Sequence, residues 1–397
     1  GIRWQLPDGV SELLPAEAWR LELLRRSIMD NSFCWGYQLV MPPLIEYLDS
    51  LLTGTGEMLN LQTFKIVDQH NGRTLGIRAD ITPQVARMDA HALRSDLPNR
   101  FFYIGTVLRT RTDGAGSSRN PLQFGAELFG HSGMESDVEV IQLMLENVMQ
   151  SGLGIDNLLL DLGHVGVFRS LIAHACLADD VEKLLFDAVI RGSQPEIWQL
   201  LDGSGCDCAL KDQITGLMGL SGEYKYTLER AREHFREADP SVQLVLENLQ
   251  SIIDSVTRFF PGLDVNIDLS DLRGYRYHTG TIFTLYDTEG VALASGGRYD
   301  AIGEEFGHGR SATGFSGDLL TLSRVCTSGS DNAAASGGIW VEACESVEQW
   351  QQVQSLRKRG ERVLVGLKGS TMRGQDCHCD RKLVQEKGKW RIVPLGN

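Results

Sequence analysis

Two apolar runs separated by a polar segment stand out in the first third of the chain. The strand-like run at 101–109 and the apolar run at 121–130 predict a β-hairpin, because turn-forming residues fill the segment between them. The predicted loop carries Asp113, Gly114, Gly116, Ser117 and Ser118. Alternate side chains of such a hairpin share one face of the sheet.

The pattern on either side of this hairpin predicts helices and a second hairpin. An amphipathic helix is expected over 15–31, where apolar residues recur at Trp19, Leu21, Leu23, Leu24 and Ile28. Residues 64–68 and 74–78 predict two strands joined by a turn at 71–72. A helical period covers 137–151, and we expect Ser136 to be its N-cap.

The central part of the chain, from about 161 to 261, has a mostly helical pattern. It predicts helices at 181–191, 194–202, 223–237 and 241–260, interrupted by several glycines. These helices are acidic in net terms, which favours a structural or protein-facing role over contact with nucleic acid. Beyond them, 264–268, 282–287 and 291–295 predict strands of one antiparallel sheet.

The C-terminal part begins with a small-residue stretch at 327–338 that predicts a linker. A strand, a helix at 347–359, a second strand and a final strand-like pair then predict a small α/β domain at 339–397. The expected organisation is a core made of 1–160 and 262–326, a helical insertion at 161–261, and this C-terminal domain. The expected fold class is α+β, with an antiparallel sheet flanked by helices.

Composition narrows the classes of function. The chain has 397 residues, 42% of them hydrophobic, and a formal net charge of −14. It can bury a sizeable core, but it offers little nonspecific attraction to phosphate backbones, so no nucleic acid is expected as a partner. The sequence contains no apolar run of membrane-spanning length and no signal-peptide pattern, so we expect a soluble, cytoplasmic protein without membrane contact.

Cysteine usage gives little support for disulfides or metal. Eight cysteines are scattered along a long chain, and we expect free thiols. Cys206 with Cys208, and Cys377 with His378 and Cys379, contain zinc-ligand residue types. Neither pair has the spacing of a zinc knuckle, and nothing nearby completes four ligands. We therefore expect no metal and no cofactor.

Four segments carry the candidate chemistry: RADITPQVAR (78–87), RFFYIGTVLRTRTDGAGSSRNPLQFGAELFG (100–130), DLRGYRYHTG (271–280) and SGGRYD (295–300). Together they resemble the amino-acid and ATP pocket of the class II histidyl-tRNA synthetases. The resemblance implies that Arg109 holds a phosphate, that Arg273 faces a histidine carboxylate, and that other pocket residues hold the rest of histidine. Those other residues are Asp80, Thr82, Gln123, Glu127, Tyr277, His278 and Tyr299.

Several positions that handle the nucleotide differ from the synthetase pattern. Arg111 stands where the family has a glutamate that accepts from adenine, and a guanidinium has no acceptor. Ser117 and Thr321 stand where the family has phosphate-binding arginines, on which amino-acid activation depends. His278 replaces a tyrosine, and we interpret it as a pocket wall rather than as a general base. We therefore expect a pocket that binds histidine without activating it, and no catalytic residue.

One synthetase-like family combines these features, the regulatory subunits of ATP phosphoribosyltransferase. DLRGYRYHTGTIF, ASGGRYD, GRSATGFSGDL and the N-terminal LPDGVSELLPAEAWRLELLRR are similar to it. The resemblance implies a non-catalytic subunit that activates the short-form catalytic subunit in the first step of L-histidine biosynthesis and mediates feedback by L-histidine. It implies a hetero-octamer of four plus four chains. Residues 33–51 resemble motif 1 of class II synthetases, so a homodimer is expected as well.

Two other functions stay open at this point. The chain could be an active histidyl-tRNA synthetase, or a stand-alone adaptor that binds an amino acid or tRNA. Histidine-dependent ATP–pyrophosphate exchange would identify the first, and failure to copurify with the transferase would favour the second. The glycine-rich segment at 53–58 suggests a phosphate loop, but it lacks the GK[ST] ending and no helix is predicted after it, so we interpret it as a turn.

Overall fold

The computed structural model describes residues 3–112, 117–274, 277–325, 337–343 and 346–396. The chain forms two compact units, one of residues 1–11 and 24–326 and the other of residues 12–23 and 327–397. The predicted hairpin loop at 113–116 and the linker at 327–336 lie outside the described residues. Within the described ranges, no helix combines the length and the apolar character needed to cross a membrane.

Sixteen strands are distributed over three sheets within the described residues. They are β1 (Gln38–Leu39), β2 (Ile45–Tyr47), β3 (Phe64–Val67), β4 (Thr74–Ile77), β5 (Asn99–Thr106), β6 (Leu122–Phe129), β7 (Leu158–His164), β8 (Ser221–Glu223), β9 (Asp264–Asp268), β10 (Thr281–Asp287), β11 (Ala292–Arg298), β12 (Ala312–Asp318), β13 (Ile339–Val341), β14 (Val363–Val365), β15 (Arg381–Glu386) and β16 (Lys389–Pro394).

Thirteen α-helices accompany them in the described ranges. They are α1 (Pro15–Cys34), α2 (Leu48–Leu52), α3 (Glu57–Gln62), α4 (Thr82–Ala90), α5 (Met134–Met149), α6 (Val165–Ile172), α7 (Asp179–Arg191), α8 (Gln194–Gly203), α9 (Cys208–Gly216), α10 (Tyr224–His234), α11 (Pro240–Phe259), α12 (Leu319–Val325) and α13 (Val347–Lys358). Short 3-10 turns occur at Ile155–Asn157, Leu217–Gly219, Glu304–Phe306 and Gly374–Cys377.

The first unit is built on a nine-stranded sheet with the order β1-β5-β6-β12-β11-β10-β7-β9-β8. Adjacent strands of this sheet are antiparallel, except for the two parallel pairs β1 with β5 and β7 with β9. Helices α5 and α11 pack against each other and against strands of this sheet. A separate three-stranded sheet has the order β2-β4-β3. The predicted α+β class, a largely antiparallel sheet flanked by helices, is confirmed.

Both predicted hairpins are confirmed. β5 pairs with β6 in antiparallel register from Asn99 opposite Phe129 to Thr106 opposite Leu122. β3 pairs with β4, and the turn between them contains Gly72 at φ +76°, a conformation that glycine adopts without steric cost. The regular register of β5 and β6 places side chains two or four residues apart on the same face.

Two local expectations were wrong. The N-cap of α5 is Gly133, and Ser136 lies in the first turn, where its hydroxyl donates to the backbone carbonyl of Gly133 at 2.8 Å. The strand β9 does not lie beside β10, because β7 is inserted between them and pairs with β9 in parallel. A parallel neighbour needs a long crossover connection, and the helical segment from α6 to α11 provides it.

In the central segment, four predicted helices are confirmed as α7, α8, α10 and α11, while α6 and α9 were not predicted. Helix α9 begins after Asp207, whose side chain accepts from the backbone N–H of Leu210 at 2.8 Å. β7 continues to His164 in the main sheet, and β8 also joins that sheet. The glycine-rich segment at 53–58 leads into the short helix α3, contrary to the expectation that no helix follows it.

The described residues from 337 onwards contain a four-stranded sheet and one α-helix. Four strands have the order β14-β13-β15-β16, and β13 is parallel to both of its neighbours. A small core contains Ile339, Val341, Val353, Leu356, Val363 and Leu383. Helix α13 contributes two of these residues, so one helix packed on a four-stranded sheet accounts for the core.

Candidate functional site

A cavity of about 590 Å³ opens on one face of the nine-stranded sheet. Its lining comes from β6, β7, β10, β11 and β12, from the start of α4 and the turn before it, and from the segment after β9. Seven of the nine predicted pocket residues line it: Asp80, Thr82, Glu127, Arg273, Tyr277, His278 and Tyr299. Arg109 and Gln123 lie outside the lining. The structure therefore brings seven of the nine residues together around one cavity and places the other two outside its lining.

The register of the sheet sets Glu127 beside a row of small residues. Gly314 on β12 pairs with Glu127 on one side and with Gly297 on the other, and Ile282 and Gly163 continue the row. Directly opposite residues of antiparallel strands share a face, so this row forms part of the cavity floor. A methyl group at Gly314 would overlap the Glu127 carboxyl group. Glycine at this position gives that carboxyl its space.

Glu127 is the most deeply buried acid of the cavity, with 1% of its surface exposed. Its Oε1 accepts from the hydroxyls of Thr82 and Tyr103 at 3.1 and 3.0 Å, and its Oε2 accepts from Tyr299 at 2.6 Å. Burial raises the pKa of Glu127 to about 8, although the three hydroxyls favour the charged form. We call Thr82, Tyr103 and Tyr299 the hydroxyl cage of Glu127.

Asp80 and Gln123 bind each other at the edge of the cavity. The amide Nε2 of Gln123 donates to Asp80 Oδ1 at 2.8 Å, and its Oε1 accepts from the backbone N–H of Ile81 at 2.9 Å. Asp80 Oδ1 also accepts from the backbone N–H of Thr82 at 3.1 Å. Gln123 thereby ties β6 to the turn before α4, and it orients the Asp80 carboxylate that faces the cavity.

Three aromatic side chains form one wall. The ring centroids of Tyr277 and Tyr299 are 5.3 Å apart, and those of Tyr277 and His278 are 5.2 Å apart. Burial lowers the pKa of His278 to about 4, so its imidazole is neutral near pH 7. The Tyr277 hydroxyl and His278 Nδ1 are buried without a hydrogen-bond partner among the described residues. Unpartnered buried polar atoms in a cavity are available to a ligand.

Charged side chains also line the cavity. Arg273 donates twice to Asp271, at 2.8 and 2.9 Å, and this pairing raises the pKa of the arginine above its ordinary value. Asp161 on β7 also lines the cavity, and its buried Oδ1 has no hydrogen-bond partner among the described residues. Burial raises the pKa of Asp161 to about 6, with Asp268 and Asp271 adding to the shift.

Arg109, predicted as a phosphate ligand, is engaged by the protein instead. Its Nε donates to the backbone carbonyl of Ala79 at 3.2 Å. Thr321, at the position where the synthetases have a motif 3 arginine, donates its hydroxyl to Asp318 Oδ2 at 3.2 Å. Arg111 is exposed to solvent. Arg109, Arg111 and Thr321 all lie outside the cavity lining.

Sequence reasoning missed several residues of the site. Tyr103 belongs to the hydroxyl cage, and Asp161, Asp271 and Gly314 line the cavity. A signal existed for Asp161, which is a single acidic residue inside the apolar run LLLDLGH. Tyr103 has no such signal, because its role depends on the pairing of β5 with β6. In the part of the chain that the structure describes, no cluster of three or more His, Cys, Asp or Glu side chains is placed to hold a metal ion.

Comparison with solved structures supports the class II fold. A structure described as an ATP phosphoribosyltransferase regulatory subunit/histidyl-tRNA synthetase from Bacillus halodurans C matches with a TM-score of 0.79 and 24% identity, over 94% of this chain and 95% of that one. Histidyl-tRNA synthetase from Nostoc sp. PCC 7120 matches with a TM-score of 0.76 and 17% identity, over 99% of this chain and 97% of that one. At such identities the likeness establishes the fold alone.

Sequence comparison establishes the family. Residues 9–322 match the family model of histidyl-tRNA synthetase, and residues 336–393 match that of the ATP phosphoribosyltransferase subunit HisZ C-terminal domain. The ATP phosphoribosyltransferase regulatory subunit of Thioalkalivibrio sulfidiphilus is 49% identical over 99% of both chains. That of Pseudomonas fluorescens is 45% identical over 100% of this chain and 99% of the relative. The chain therefore belongs to the family of ATP phosphoribosyltransferase regulatory subunits.

Proposed function

We propose that this protein activates a short-form ATP phosphoribosyltransferase catalytic subunit in the cytoplasm, without catalysing a reaction itself, and that histidine bound to it inhibits the first step of L-histidine biosynthesis. The observation that carries this proposal is the end-to-end match to relatives named as regulatory subunits, at 44–49% identity. The match includes the C-terminal residues, for which the family model is specific to that subunit. A regulatory subunit implies a catalytic subunit as its partner.

The chemistry of the cavity supports histidine as the effector. Asp80 and Glu127 offer acceptors for an ammonium and a ring N–H, and Arg273 offers a guanidinium for a carboxylate. Because Arg273 is paired with Asp271, a ligand carboxylate has to compete with that aspartate. Histidine inhibits only if it binds the less active assembly more tightly than the active one. The coupling free energy between histidine binding and the change of activity state is typically about 1–3 kcal/mol.

The nucleotide side of the site supports a non-catalytic role. Adenylate formation needs cations on the triphosphate, and this chain has Ser117 and Thr321 where the synthetase pattern has two of the phosphate-binding arginines. We expect no histidine-dependent ATP–pyrophosphate exchange above background. The family model and the fold shared with histidyl-tRNA synthetases make this the decisive control, and robust exchange would establish the synthetase instead.

The segment around β1 supports the proposed homodimer. Phe33 and Met41 are 73% and 77% exposed, and Leu39, Leu44 and Ile45 are exposed beside them in sequence. Large exposed apolar side chains concentrated in one segment are typical of a contact surface between chains. Light scattering is expected to give the mass of a dimer for the isolated chain and of a monomer for Met41→Asp. Leu244→Asp, an equally exposed leucine on α11, is the matched control and should stay dimeric.

Mixing with the catalytic subunit is the direct test of the whole proposal. We expect transferase turnover to rise when the two chains are combined, a complex of four plus four chains, and inhibition by histidine that is weakened in Glu127→Ala. Calorimetry on the isolated chain should give weaker histidine binding for the same variant. Unchanged turnover on mixing would contradict the activating role, and equal histidine affinity in both forms would contradict the placement of the effector site.

A further inference from the structure

Glu127 is a buried acid with no cation beside it. No ion pair joins an Arg, Lys or His side chain of the described residues to it, and the main influences on its pKa are burial, the three hydroxyls and Asp80, none of them a cation. The titratable groups that face it or line its cavity are Tyr37, Asp80, Tyr103, Asp161, Asp271, Arg273, Tyr277, His278 and Tyr299. Of these, only Arg273 carries a positive charge, and it is paired with Asp271.

A buried carboxylate without a counter-charge is unfavourable, so the group holds a proton until a cation arrives. The hydroxyl cage suits both states, because hydroxyls donate and accept. Around a carboxylate, Thr82, Tyr103 and Tyr299 can all donate, at the 3.1, 3.0 and 2.6 Å separations observed. Around the neutral acid, one of them turns to accept the acid proton. The site can change its protonation state without moving its backbone.

We propose that Glu127 hands its proton to the imidazole ring of the incoming histidine, so that the bound ligand is an imidazolium paired with the Glu127 carboxylate. This inference rests on the proposed function, in which histidine is the effector. The O–H bond of Glu127 breaks, an N–H bond forms on the ring nitrogen that lacked a proton, and the net charge of the complex is unchanged. The ligand supplies the counter-charge that the described residues do not provide.

The transfer predicts a proton count that changes with pH. The free imidazole titrates at about pH 6.5, while burial holds the pKa of Glu127 at about 8. Between pH 6.5 and 8, Glu127 of the free protein and the ring of the free histidine together carry about one proton. The complex also carries one, on the ring. Near pH 7.3, binding should therefore exchange about no proton with the buffer, and near pH 5.5, where the ring arrives already charged, it should release about one proton.

Two measurements on the full chain test the proposal together. Calorimetry of L-histidine binding in phosphate and in Tris near pH 7.3 should give equal observed enthalpies, because no proton passes to the buffer. Near pH 5.5, the observed enthalpies in two buffers of different ionisation enthalpy should differ by the amount expected for about one released proton. Nitrogen NMR of ¹⁵N-labelled histidine bound near pH 7.3 should show a charged ring, although the free ligand is mostly neutral there. A triazole analogue of histidine, whose ring is too weakly basic to accept the proton, should bind at least about tenfold more weakly.

The variants separate this inference from the histidine-sensing role. Glu361→Gln makes the same carboxyl-to-amide change outside the cavity lining and should leave both proton counts and the charged ring unchanged, whereas in Glu127→Gln the bound ring should be neutral near pH 7.3, because no carboxylate is left to pair with it. A bound ring that is neutral near pH 7.3, or uptake of about one proton there, overturns the transfer and leaves histidine sensing intact. A chain that binds no histidine overturns both.

Discussion

Two buried carboxyl groups of the main unit have opposite surroundings. Asp89 on α4 is 2% exposed and pairs in bidentate fashion with Arg310, at 2.7 and 2.9 Å. Arg310 also donates to the backbone carbonyls of Ser95 and Leu97, both at 2.8 Å. Glu127 is equally buried but is surrounded by hydroxyls alone, without a cation among the described residues.

The difference separates a structural acid from a ligand-binding one. The Asp89 carboxylate is already paired with a cation within the protein. The guanidinium of Arg310 donates both to Asp89 on α4 and to the backbone carbonyl of Ser95, and so links the loop after α4 to that helix. The hydroxyl cage surrounds the Glu127 carboxyl group with no cation among the described residues to compensate its negative charge. An uncompensated buried charge is unfavourable unless a bound ligand supplies the positive charge. Acids with a shifted pKa in a cavity are typical of functional sites. The contrast with Asp89 is the physical basis for assigning a ligand-binding role to Glu127.

The largest effect on stability is expected at the ion pair of Asp89 and Arg310. Arg310→Met should lower the free energy of unfolding by about 3–5 kcal/mol, because it leaves the Asp89 carboxylate buried and unpaired. Denaturant unfolding near pH 7 measures the loss. The double variant Asp89→Leu with Arg310→Met should recover part of it, since no charge is left behind. A double variant no more stable than the single one would show that the backbone contacts of Arg310, rather than the ion pair, dominate.

The next effect concerns the space beside Glu127. Gly314→Ala places a methyl group against the Glu127 carboxyl and the backbone carbonyl of Ala126, so we expect a loss of about 1–3 kcal/mol together with loss of histidine binding. Gly203→Ala at the end of α8 is the control, because a Cβ atom there meets nothing within 4 Å. Equal stability of the two variants would mean that the residues around Gly314 shift to accommodate the methyl group at little cost in free energy.

The pH dependence of stability distinguishes Glu127 from the paired acid. Its folded pKa of about 8 lies above the ordinary 4.5, so the folded state holds the proton more tightly and stability falls as pH rises towards 8. The folded pKa values of Asp161, His164 and His278, at about 6, 4 and 4, lie below the window between pH 6.5 and 8, but the two histidines titrate at about 6.5 in the unfolded chain and so raise stability with pH in the lower part of it. Across the window the wild-type protein should lose up to about 1.4 kcal/mol per pH unit through Glu127.

Glu127→Gln is the matched variant for that measurement. It carries no titrating group at this position, so its stability should vary less between pH 6.5 and 8 than that of the wild type. Thermal unfolding or urea titration at three pH values in the window is sufficient. Parallel stability profiles for the two proteins would show that Glu127 is already ionised when the cavity is free of ligand.

The smallest effect is expected at the ion pair of Asp271 and Arg273. Asp271→Asn removes the partner of Arg273, whose side chain is 68% exposed, and exposed ion pairs contribute about 0–1 kcal/mol to stability. Histidine should bind more tightly to this variant, because the guanidinium no longer has to leave an aspartate. Calorimetry on wild type and variant measures the change, and weaker binding by Asp271→Asn would show that Asp271 orients Arg273 for the ligand rather than competing with it.

Local pattern was sufficient for much of the fold and for part of the site. Turn-forming residues between apolar runs predicted the β5–β6 hairpin, and apolar spacing predicted α7, α8, α10 and α11. The four-residue spacing of Gln123 and Glu127 on a strand places both on one face, as observed. Only Glu127 lines the cavity, however, because the Gln123 amide is taken up by Asp80 and Ile81. Spacing cannot reveal which polar atoms the protein itself occupies.

The sequence by itself determined the longer helices, the hairpins and the family, and it singled out seven of the side chains that line the cavity, because these follow from local periodicity and from motifs. Only the tertiary structure decided the state of Glu127. Its hydroxyl cage joins Thr82, 45 residues away, and Tyr299, 172 residues away, through the order of β6, β12 and β11. Burial and strand register are properties of packing between distant segments, and they decide whether a carboxyl group carries a charge.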